Sequence, residues 1–314
     1  MPITPQYILE TVSGGHDKKG STTTMAIYNK ILFATDLTPK AQHAQEAAFR
    51  LAREHGATLH LLHVNVLSAL HMEYRGLQKA DDYVQSVLAA CRASLQEVPD
   101  QPDLTIERSV ITDESPGRAI LHYADQHGID LIVLGTDHVT SPERYLTGSA
   151  VLKVLHGSRA PVLVNGNEAA ALTGVQRIVV GTDLSDTSAD ALRHAAELAS
   201  EYKAELIVSY VLVPPMATPY DVQQVLESPD HAAAETALER FLDGLGLAVN
   251  PRREVRSGRA HLELLESVKA HGADLLVVGA SGHGALGRIF LGSTADRVVQ
   301  HARCPVLVHR TPGS

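Results

Sequence analysis

Three glycines and a serine stand at a fixed spacing near the end of the chain. The run from Gly279 to Ser293 reads Gly-x2-Gly-x9-Gly-Ser, and the other two glycines that define this spacing are Gly282 and Gly292. Glycines lack side chains, so the backbone N–H groups beside them can approach a phosphate closely. Gly292 and Ser293 also begin a predicted helix, whose first amides and positive dipole end favour an anion. The spacing therefore predicts phosphate binding, although tight turns and a helix start would use the same glycines.

An aspartate and two basic side chains are predicted to complete this chemistry. Asp183 follows a predicted strand at the same edge of the sheet, where a nucleoside hydroxyl or amine could donate to it. His283 and Arg288, inside the glycine run, are the nearest predicted cations for a polyphosphate. The sequence contains neither a Gly-x4-Gly-Lys-[Ser/Thr] phosphate loop nor a Gly-x-Ser-x-Gly nucleophile turn. No activated water, nucleophile or base is visible, so the pattern favours binding over catalysis.

Histidine and cysteine are not arranged as metal ligands or as a disulfide framework. His60 and His63 are three residues apart on a predicted strand, so their side chains point to opposite faces. The 17 histidines are therefore predicted to be scattered surface residues or satisfied core residues. Cys304 precedes Pro305 at a predicted buried strand and is expected to be a packed, inert thiol. Cys91 is expected to pack on a helix face.

The elements that position these residues occur twice in the chain. Residues 30–37 match residues 177–184, which lie 147 positions later, and the apolar stripe of the following helix keeps that offset. Residues 128–135 match residues 272–279 at an offset of 144. The second repeat is therefore three residues shorter in its middle and otherwise collinear with the first. Matches over this length indicate a tandem duplication.

Each repeat alternates strands and helices. Residues 30–35 are a near-continuous apolar run, as expected for a strand buried on both faces of a parallel sheet. In the first repeat the predicted strands are 30–35, 58–66, 104–110, 130–134 and 161–164, and the predicted helices are 39–55, 81–95, 118–127 and 148–156. This order predicts an α/β fold: two tandem doubly wound domains, each with a five-stranded parallel sheet of the HUP or Rossmann-like kind.

The repeats set the predicted domain bounds. Residues 27–166 form the first predicted domain and residues 173–311 the second, while residues 1–26 are expected to be a flexible N-terminal extension. The closing strands, residues 161–164 and 305–308, are short aliphatic runs that each begin with proline and so suit a sheet edge. Pairing these two edges would bury them and pack the repeats as a pseudo-dimer. The alternative is two separate beads on a short linker.

The composition excludes several classes of function. Asp and Glu outnumber Lys and Arg by 36 to 27, which gives a formal net charge of −9, so no nucleic-acid partner is expected. No apolar run approaches the ~20 residues that span a bilayer, so no membrane association is expected. The first 25 residues lack the features of a secretory signal. Two cysteines in unrelated contexts fit a reducing compartment, and a cytoplasmic location is expected.

The glycine run, Asp183 and the closing strand at residues 304–308 together resemble the universal stress protein family, and the resemblance covers both repeats. It implies an ATP site built from the first-strand aspartate, the backbone of the second strand and the glycine run. In this sequence the implied residues are Asp183, Val211, Gly279, Gly282, Gly292 and Ser293. The resemblance also implies ATP as the cofactor, with or without Mg2+, although the family includes members that do not bind ATP.

The first repeat departs from this pattern at one glycine. It keeps the matching residues Asp36, Val64, Gly135, Gly148 and Ser149, but His138 replaces the second glycine of the run. A side chain at that position would obstruct the approach of a phosphate to the backbone, whereas a protonated imidazole could itself donate to a phosphate. The two sites are therefore expected to differ, with ATP mainly in the second domain.

The leading hypothesis is an ATP-binding universal stress protein with a regulatory role in the cytoplasmic stress response. Adenine nucleotide is the predicted ligand, and the bound state would alter binding to an unidentified regulatory protein partner. A further homodimer, beyond the intramolecular pseudo-dimer, is left open. Two alternatives remain: a slow ATP hydrolase on the same fold, and a structural or ligand-carrier protein that does not bind nucleotide.

Overall fold

The chain forms two compact units, Met1–Ser158 and Arg159–Ser314. The computed structural model describes residues 27–66, 78–136, 149–166, 174–213, 230–280 and 291–310. The predicted N-terminal extension lies outside the described residues, and the predicted domain bounds stay predictions. Each unit is an α/β structure, as the alternating sequence pattern predicts.

The first unit contains a parallel sheet with the strand order β3-β2-β1-β4. Its strands are β1 (Lys30–Thr35), β2 (Thr58–Asn65), β3 (Ile106–Thr112) and β4 (Leu131–Thr136). Its helices are α1 (Gln42–His55), which follows a short 3-10 turn, α2 (Gln78–Glu97), α3 (Pro116–His127) and α4 (Ser149–Gly157). The predicted elements of the first repeat are confirmed, with bounds that differ by one to three residues.

The second unit contains five parallel strands in the order β8-β7-β6-β9-β10. The strands of this unit are β5 (Val162–Gly166), β6 (Arg177–Thr182), β7 (Glu205–Leu212), β8 (Arg252–Ser257), β9 (Leu275–Gly279) and β10 (Val306–His309). Its helices are α5 (Asp186–Tyr202), α6 (His231–Asp243), α7 (Ala260–His271) and α8 (Ser293–His301). The predicted five-stranded parallel sheet is therefore confirmed in this unit.

Strand β5 closes the first repeat in sequence but belongs to the second compact unit. It runs antiparallel to β10, and Val162 and Val164 lie opposite Val308 and Val306. The predicted pairing between the closing strands of the two repeats is confirmed. Because β10 also pairs with β9 on its other side, it is an interior strand of this unit.

Helices pack on the sheets through the apolar stripe that both repeats share. The stripe residues of α5 are almost fully buried: Ala191, Ala195, Leu198 and Ala199. The matching residues of α1 are buried to the same degree: Ala44, Ala48, Leu51 and Ala52. Alanine at most of these positions lets each helix axis lie close to its sheet. No helix in the described ranges is both long enough and apolar enough to cross a membrane.

A buried polar network joins α3 to the sheet of the first unit. The Nδ1 atom of His60 lies 3.1 Å from the Tyr123 hydroxyl, which lies 3.1 Å from the Ser109 hydroxyl. The Tyr123 ring stacks on the His127 ring with 3.9 Å between the centroids. Burial raises the pKa of Tyr123, although its bond to Ser109 acts in the opposite direction. His60 is therefore a core histidine, as the sequence predicts, but only Nδ1 is hydrogen-bonded, since Nε2 is buried without a partner in the described part of the chain.

The matching position of the second unit holds an ionic network. The Glu254 carboxylate accepts a 3.0 Å hydrogen bond from the Ser267 hydroxyl and lies 2.9 Å from Nε2 of His271. Arg256 contacts the same carboxylate. Burial acts to raise the pKa of Glu254, but the hydrogen bonds from Arg256, His271 and Ser267 lower it overall. The two units therefore fill one location with different chemistry.

Both cysteines are free thiols. Cys304 is buried, and burial raises its pKa to about 12. Such a thiol stays protonated near neutral pH and is a poor nucleophile. The prediction of a packed, inert thiol is confirmed.

Candidate functional site

The strand order of the second unit creates a crevice at the carboxyl edge of its sheet. From β6 the chain continues outward through β7 and β8, whereas β9 and β10 lie on the opposite side of β6. The order therefore reverses between β6 and β9, which end at Thr182 and Gly279. Open α/β sheets bind ligands at such a reversal, because the loops leaving the two strands diverge there.

The turn after β6 fixes the orientation of Asp183. Oδ1 of Asp183 accepts hydrogen bonds from the backbone amide and the hydroxyl of Ser185, at 3.1 and 2.5 Å. Leu184, which lies between these two residues, has a φ of 63°, a backbone angle that residues other than glycine rarely adopt. The Thr182 hydroxyl accepts the Leu184 amide at 3.0 Å and supports this conformation. Strained backbone beside a carboxylate that hydrogen bonds keep in one orientation is typical of a preorganised binding site.

The first unit repeats this turn after β1. Leu37 has a φ of 62°, and Oδ1 of Asp36 accepts the amide and the hydroxyl of Thr38 at 2.9 and 2.8 Å. The leucine conformation was not predicted. The Thr-Asp-Leu-[Ser/Thr] pattern that both repeats share was the signal that could have revealed it.

The end of β9 lies directly beside the start of α8. The Ala280 amide donates to the His309 carbonyl at 2.8 Å, and the Gly292 amide donates to the Ala280 carbonyl at 2.7 Å. Gly292 is the N-cap of α8 and, because it has no side chain, makes no side-chain capping hydrogen bond to the helix. Residues 281–290 lie outside the described residues, and these include Gly282 and the predicted cations His283 and Arg288. The bond between Gly292 and Ala280 joins the described residues on the two sides of this segment.

The second strand of each unit extends past the first. Thr182 lies opposite Tyr210, so Val211 is level with Asp183 on the neighbouring strand. Val211 is half-buried. In the first unit Thr35 lies opposite His63, which places Val64 level with Asp36 in the same way.

The structure brings most of the predicted site residues of the second unit to one edge. These residues are Asp183, Val211, Gly279, Gly292 and Ser293. In the first unit Asp36, Val64 and Gly135 lie at the corresponding edge, and α4 begins at Ser149. The remaining predicted residues, Gly148 and His138, lie outside the described part of the chain.

The family model described as "Universal stress protein family" matches residues 27–165 and 174–310. These two matches cover both repeats. The chain belongs to the universal stress protein family. Its two family domains are in tandem, as the sequence resemblance predicts.

Several universal stress proteins resemble this chain along much of their length. One from Mycolicibacterium smegmatis is 28% identical over 301 residues, covering 89% of this chain and 96% of the relative. The crystal structure of one from Archaeoglobus fulgidus matches with a TM-score of 0.65 and 19% identity, covering 91% of this chain and 99% of that chain. A universal stress protein solved in complex with cAMP is 29% identical, covering 44% of this chain and 99% of that chain, with a TM-score of 0.33.

Basic side chains beside the second site of this universal stress protein were not predicted. Nη1 of Arg297 on α8 lies 3.4 Å from Nε2 of His261 on α7. Arg259 and His301 are further neighbours that act on the charge of His261. These residues come from two helices that are distant in sequence, so no local spacing signals their contact.

Proposed function

We propose that the second unit binds an adenine nucleotide, ATP, at the crevice between β6 and β9. One observation carries the proposal: the 2.7 Å bond from the Gly292 amide to the Ala280 carbonyl holds the start of α8 beside the end of β9. Asp183 directly follows the neighbouring strand β6 at the same edge. An anion-binding helix start and a fixed carboxylate therefore flank one crevice, as the two ends of a nucleotide require.

The phosphate end of the nucleotide would be bound by the first turn of α8. The Gly292 amide already donates to the Ala280 carbonyl, and the first amide bonded within the helix is that of Asp296, so the amides of Ser293, Thr294 and Ala295 could donate to phosphate. The exposed Ser293 hydroxyl adds a donor, and the helix dipole favours the negative charge. The missing side chain of Gly282 would let a further backbone amide approach.

The nucleoside end would be bound by Asp183 and by the backbone of Val211. The carboxylate accepts hydrogen bonds from ribose hydroxyls, and the peptide group of Val211 offers a donor and an acceptor to the adenine edge. Because the strained Leu184 turn already fixes the carboxylate, little orientation entropy is lost on binding.

A divalent ion would bind together with the phosphates. Among the described residues there is no group of three His, Cys, Asp or Glu side chains that could hold a metal ion. Mg2+ often keeps several waters and takes substrate phosphates as ligands, so the site is compatible with ATP bound as its magnesium complex. When bound, the ion would neutralise part of the phosphate charge.

The cellular role that we propose is regulatory. A cytoplasmic universal stress protein of this kind would signal through its nucleotide-bound state, which a protein partner would recognise. Mass spectrometry of the purified protein for retained adenine nucleotide tests the ligand directly. Retained cAMP in place of ATP would revise the nucleotide, and absence of any nucleotide would favour the ligand-carrier alternative.

Calorimetric titration is expected to give close to one ATP per chain, because His138 replaces the glycine that matches Gly282. Gly282→Val is expected to weaken binding at least about 100-fold, since a β-branched side chain obstructs the phosphate approach and disfavours positive φ.

Asp183→Asn keeps the Oδ1 acceptor but loses the charge, and about a tenfold loss of ATP affinity is expected. Asp36→Asn is the matched control in the first repeat. Two equivalent sites, or equal losses for Asp36→Asn and Asp183→Asn, would contradict the proposed asymmetry.

ATP turnover is expected to be slow compared with that of typical enzymes, which run near ~10 s⁻¹. The site as proposed holds phosphates and a nucleoside but supplies no base to activate water. Steady-state phosphate release at saturating ATP and Mg2+ measures the rate. A rate above about 1 s⁻¹ that Gly282→Val abolishes would favour the hydrolase alternative.

A further inference from the structure

Four basic side chains gather where α7 and α8 meet in the second unit. This basic cluster consists of Arg259, His261, Arg297 and His301. Nη1 of Arg297 lies 3.4 Å from Nε2 of His261, so a guanidinium faces an imidazole. Burial lowers the pKa of His261, and the charges of Arg297, His301 and Arg259 lower it further.

The basic cluster adjoins the start of α8. Ser293, Arg297 and His301 are spaced four residues apart and are all exposed, so they form one stripe along the helix. Side chains on a helix lean toward its N-terminus, and four residues rise only about 6 Å. The Arg297 side chain therefore extends toward the turn that begins with Ser293.

The start of α7 lies at the same edge of the sheet. Arg259 is the N-cap of α7, and the Gly258 amide before it donates to the carbonyl of Leu212, the last residue of β7, at 2.9 Å. The helix also packs closely over the end of β6: a Cβ atom on Gly181 would lie 2.8 Å from Cδ1 of Leu264. Arg259 and His261 at the start of α7 are thus near the carboxyl edge, where the proposed ATP site lies, and Arg297 contacts His261 there.

The first repeat shows how far a side chain at this helix position reaches. Lys153 on α4 matches Arg297, and its Nζ donates to the hydroxyl of Ser115 at 2.9 Å. Ser115 is the N-cap of α3, as Arg259 is of α7. In both repeats this position therefore contacts the first residues of the neighbouring helix at the carboxyl edge.

The charge at this place differs between the repeats. Where the second repeat has Arg259, His261 and His301, the first has Ser115, Gly117 and Gly157. The loop before α3 also carries Asp113, whose carboxylate binds Arg118 at 2.7 Å. At these three positions, basic side chains are therefore present only in the repeat that keeps the intact glycine run.

Several surface arginines of this chain are paired with acidic side chains. Arg193 contacts Asp190 and Arg253 contacts Glu239, at 2.7 and 2.6 Å. Glu263, the acidic residue in the first turn of α7, is bound by Arg256 at 2.8 Å. In the basic cluster, by contrast, the positive charges of Arg259 and Arg297 lie near each other around His261, in a chain whose net charge is −9. Two like charges on neighbouring helices favour an anionic ligand that offsets their repulsion.

We propose that the basic cluster binds the terminal phosphate of the nucleotide and so makes the second unit selective for a triphosphate. This inference rests on the proposed function, because the nucleotide brings that phosphate to the cluster. Arginine suits the role, since its planar guanidinium can donate two parallel hydrogen bonds to phosphate oxygens.

The test compares AMP, ADP and ATP by calorimetric titration of the full chain and of Arg297→Gln. We expect Arg297→Gln to weaken ATP binding about tenfold and to leave AMP binding unchanged, because AMP does not reach the cluster. Arg297→Lys is expected to restore part of the difference, since it keeps the charge without the planar fork. Arg303→Gln, beyond the other end of α8, and Lys153→Gln in the first repeat are controls with the same change of charge.

The outcomes separate this inference from the proposed function. If the unaltered chain binds ATP but Arg297→Gln loses affinity for AMP and ATP equally, or loses none, the inference is overturned while the proposed function stands. If the unaltered chain binds no adenine nucleotide, the proposed function fails. Inorganic triphosphate then probes the basic cluster alone: weaker binding by Arg297→Gln than by Arg303→Gln supports an anion site, and equal binding overturns it. Thermal unfolding of each variant checks that the fold is intact.

Discussion

Replacing Val306 with proline is expected to destabilise the second unit by at least about 1–3 kcal/mol, the cost of leaving a buried hydrogen-bonding group without its partner. Val306 lies in β10, between β9 and β5, and is 2% exposed. A proline there removes a backbone donor and places its ring against a neighbouring strand. No water is available to replace the lost hydrogen bond at a buried interior position.

The backbone bonds of β10 show which neighbour would be lost. The carbonyls of Pro305 and His309 accept amides of β9 at 3.0 and 2.8 Å. Peptide groups alternate in direction along a strand, so Val306 and Val308 direct theirs toward β5. Val306→Pro therefore removes a hydrogen bond of the pairing with Val164. It leaves in place the bonds that the carbonyls of Pro305 and His309 accept on the β9 side.

Urea unfolding followed by far-ultraviolet circular dichroism measures this loss, because the chain has no tryptophan to report by fluorescence. Val306→Ala is the matched control: it removes two methyl groups but keeps the amide. The proline variant should lose clearly more free energy of unfolding than the alanine variant. Equal losses would mean that side-chain packing, and not the pairing of β10 with β5, dominates at this position.

Much of the fold was predictable because its signals are local. Residues 30–35 and 177–182 each contain a near-continuous apolar run, and both form central strands with neighbours on each side. The helix stripe that includes Ala195 was predicted from spacing alone and is buried. Pairing of the closing strands followed from their duplication. Periodicity and repetition are properties of a single segment, so they can be read before any contact is known.

The parts that could not be predicted depend on contacts between distant segments. Sequence spacing gives no warning that Arg297 meets His261, or that Tyr123 reaches His60 from 63 residues away. The positive φ of Leu184 was missed for a different reason, because leucine by itself has no preference for that conformation. Its cause is local: the oxygens of the two preceding side chains, Thr182 and Asp183, accept hydrogen bonds from the backbone of the turn.

Acidification from pH 6.5 to pH 4 is expected to destabilise the first unit through two buried histidines. His55 and His60 are 6% and 2% exposed, and burial lowers the pKa of each to about 4. For His60, the charges of His127 and Lys30 lower the pKa further, while Glu107 raises it. Both imidazoles are therefore neutral in the folded protein at pH values where an unfolded histidine, with a pKa near 6.5, becomes charged.

The sign follows from where the protons bind. Between pH 6.5 and pH 4 the unfolded chain binds protons that the folded chain does not, so the free energy of unfolding falls as the pH falls. One pKa unit corresponds to about 1.4 kcal/mol, which sets a ceiling of about 3 kcal/mol per histidine. Solvent screening reduces this figure, and we expect about 1–2 kcal/mol from each. Well above pH 6.5, where these two histidines are neutral in both states, they should add nothing to the pH dependence of the free energy of unfolding.

The second repeat supplies the variant that tests this account. Ile207 occupies the strand position that matches His60, so His60→Ile introduces a residue that the fold already accepts there. Tyr123 keeps its 3.1 Å contact with Ser109 in that variant. Urea unfolding at pH 7, 6, 5 and 4.5 should give a shallower pH dependence for His60→Ile than for the unaltered chain. Identical slopes would contradict this account, because they would show that His60 binds its proton equally in the folded and unfolded states.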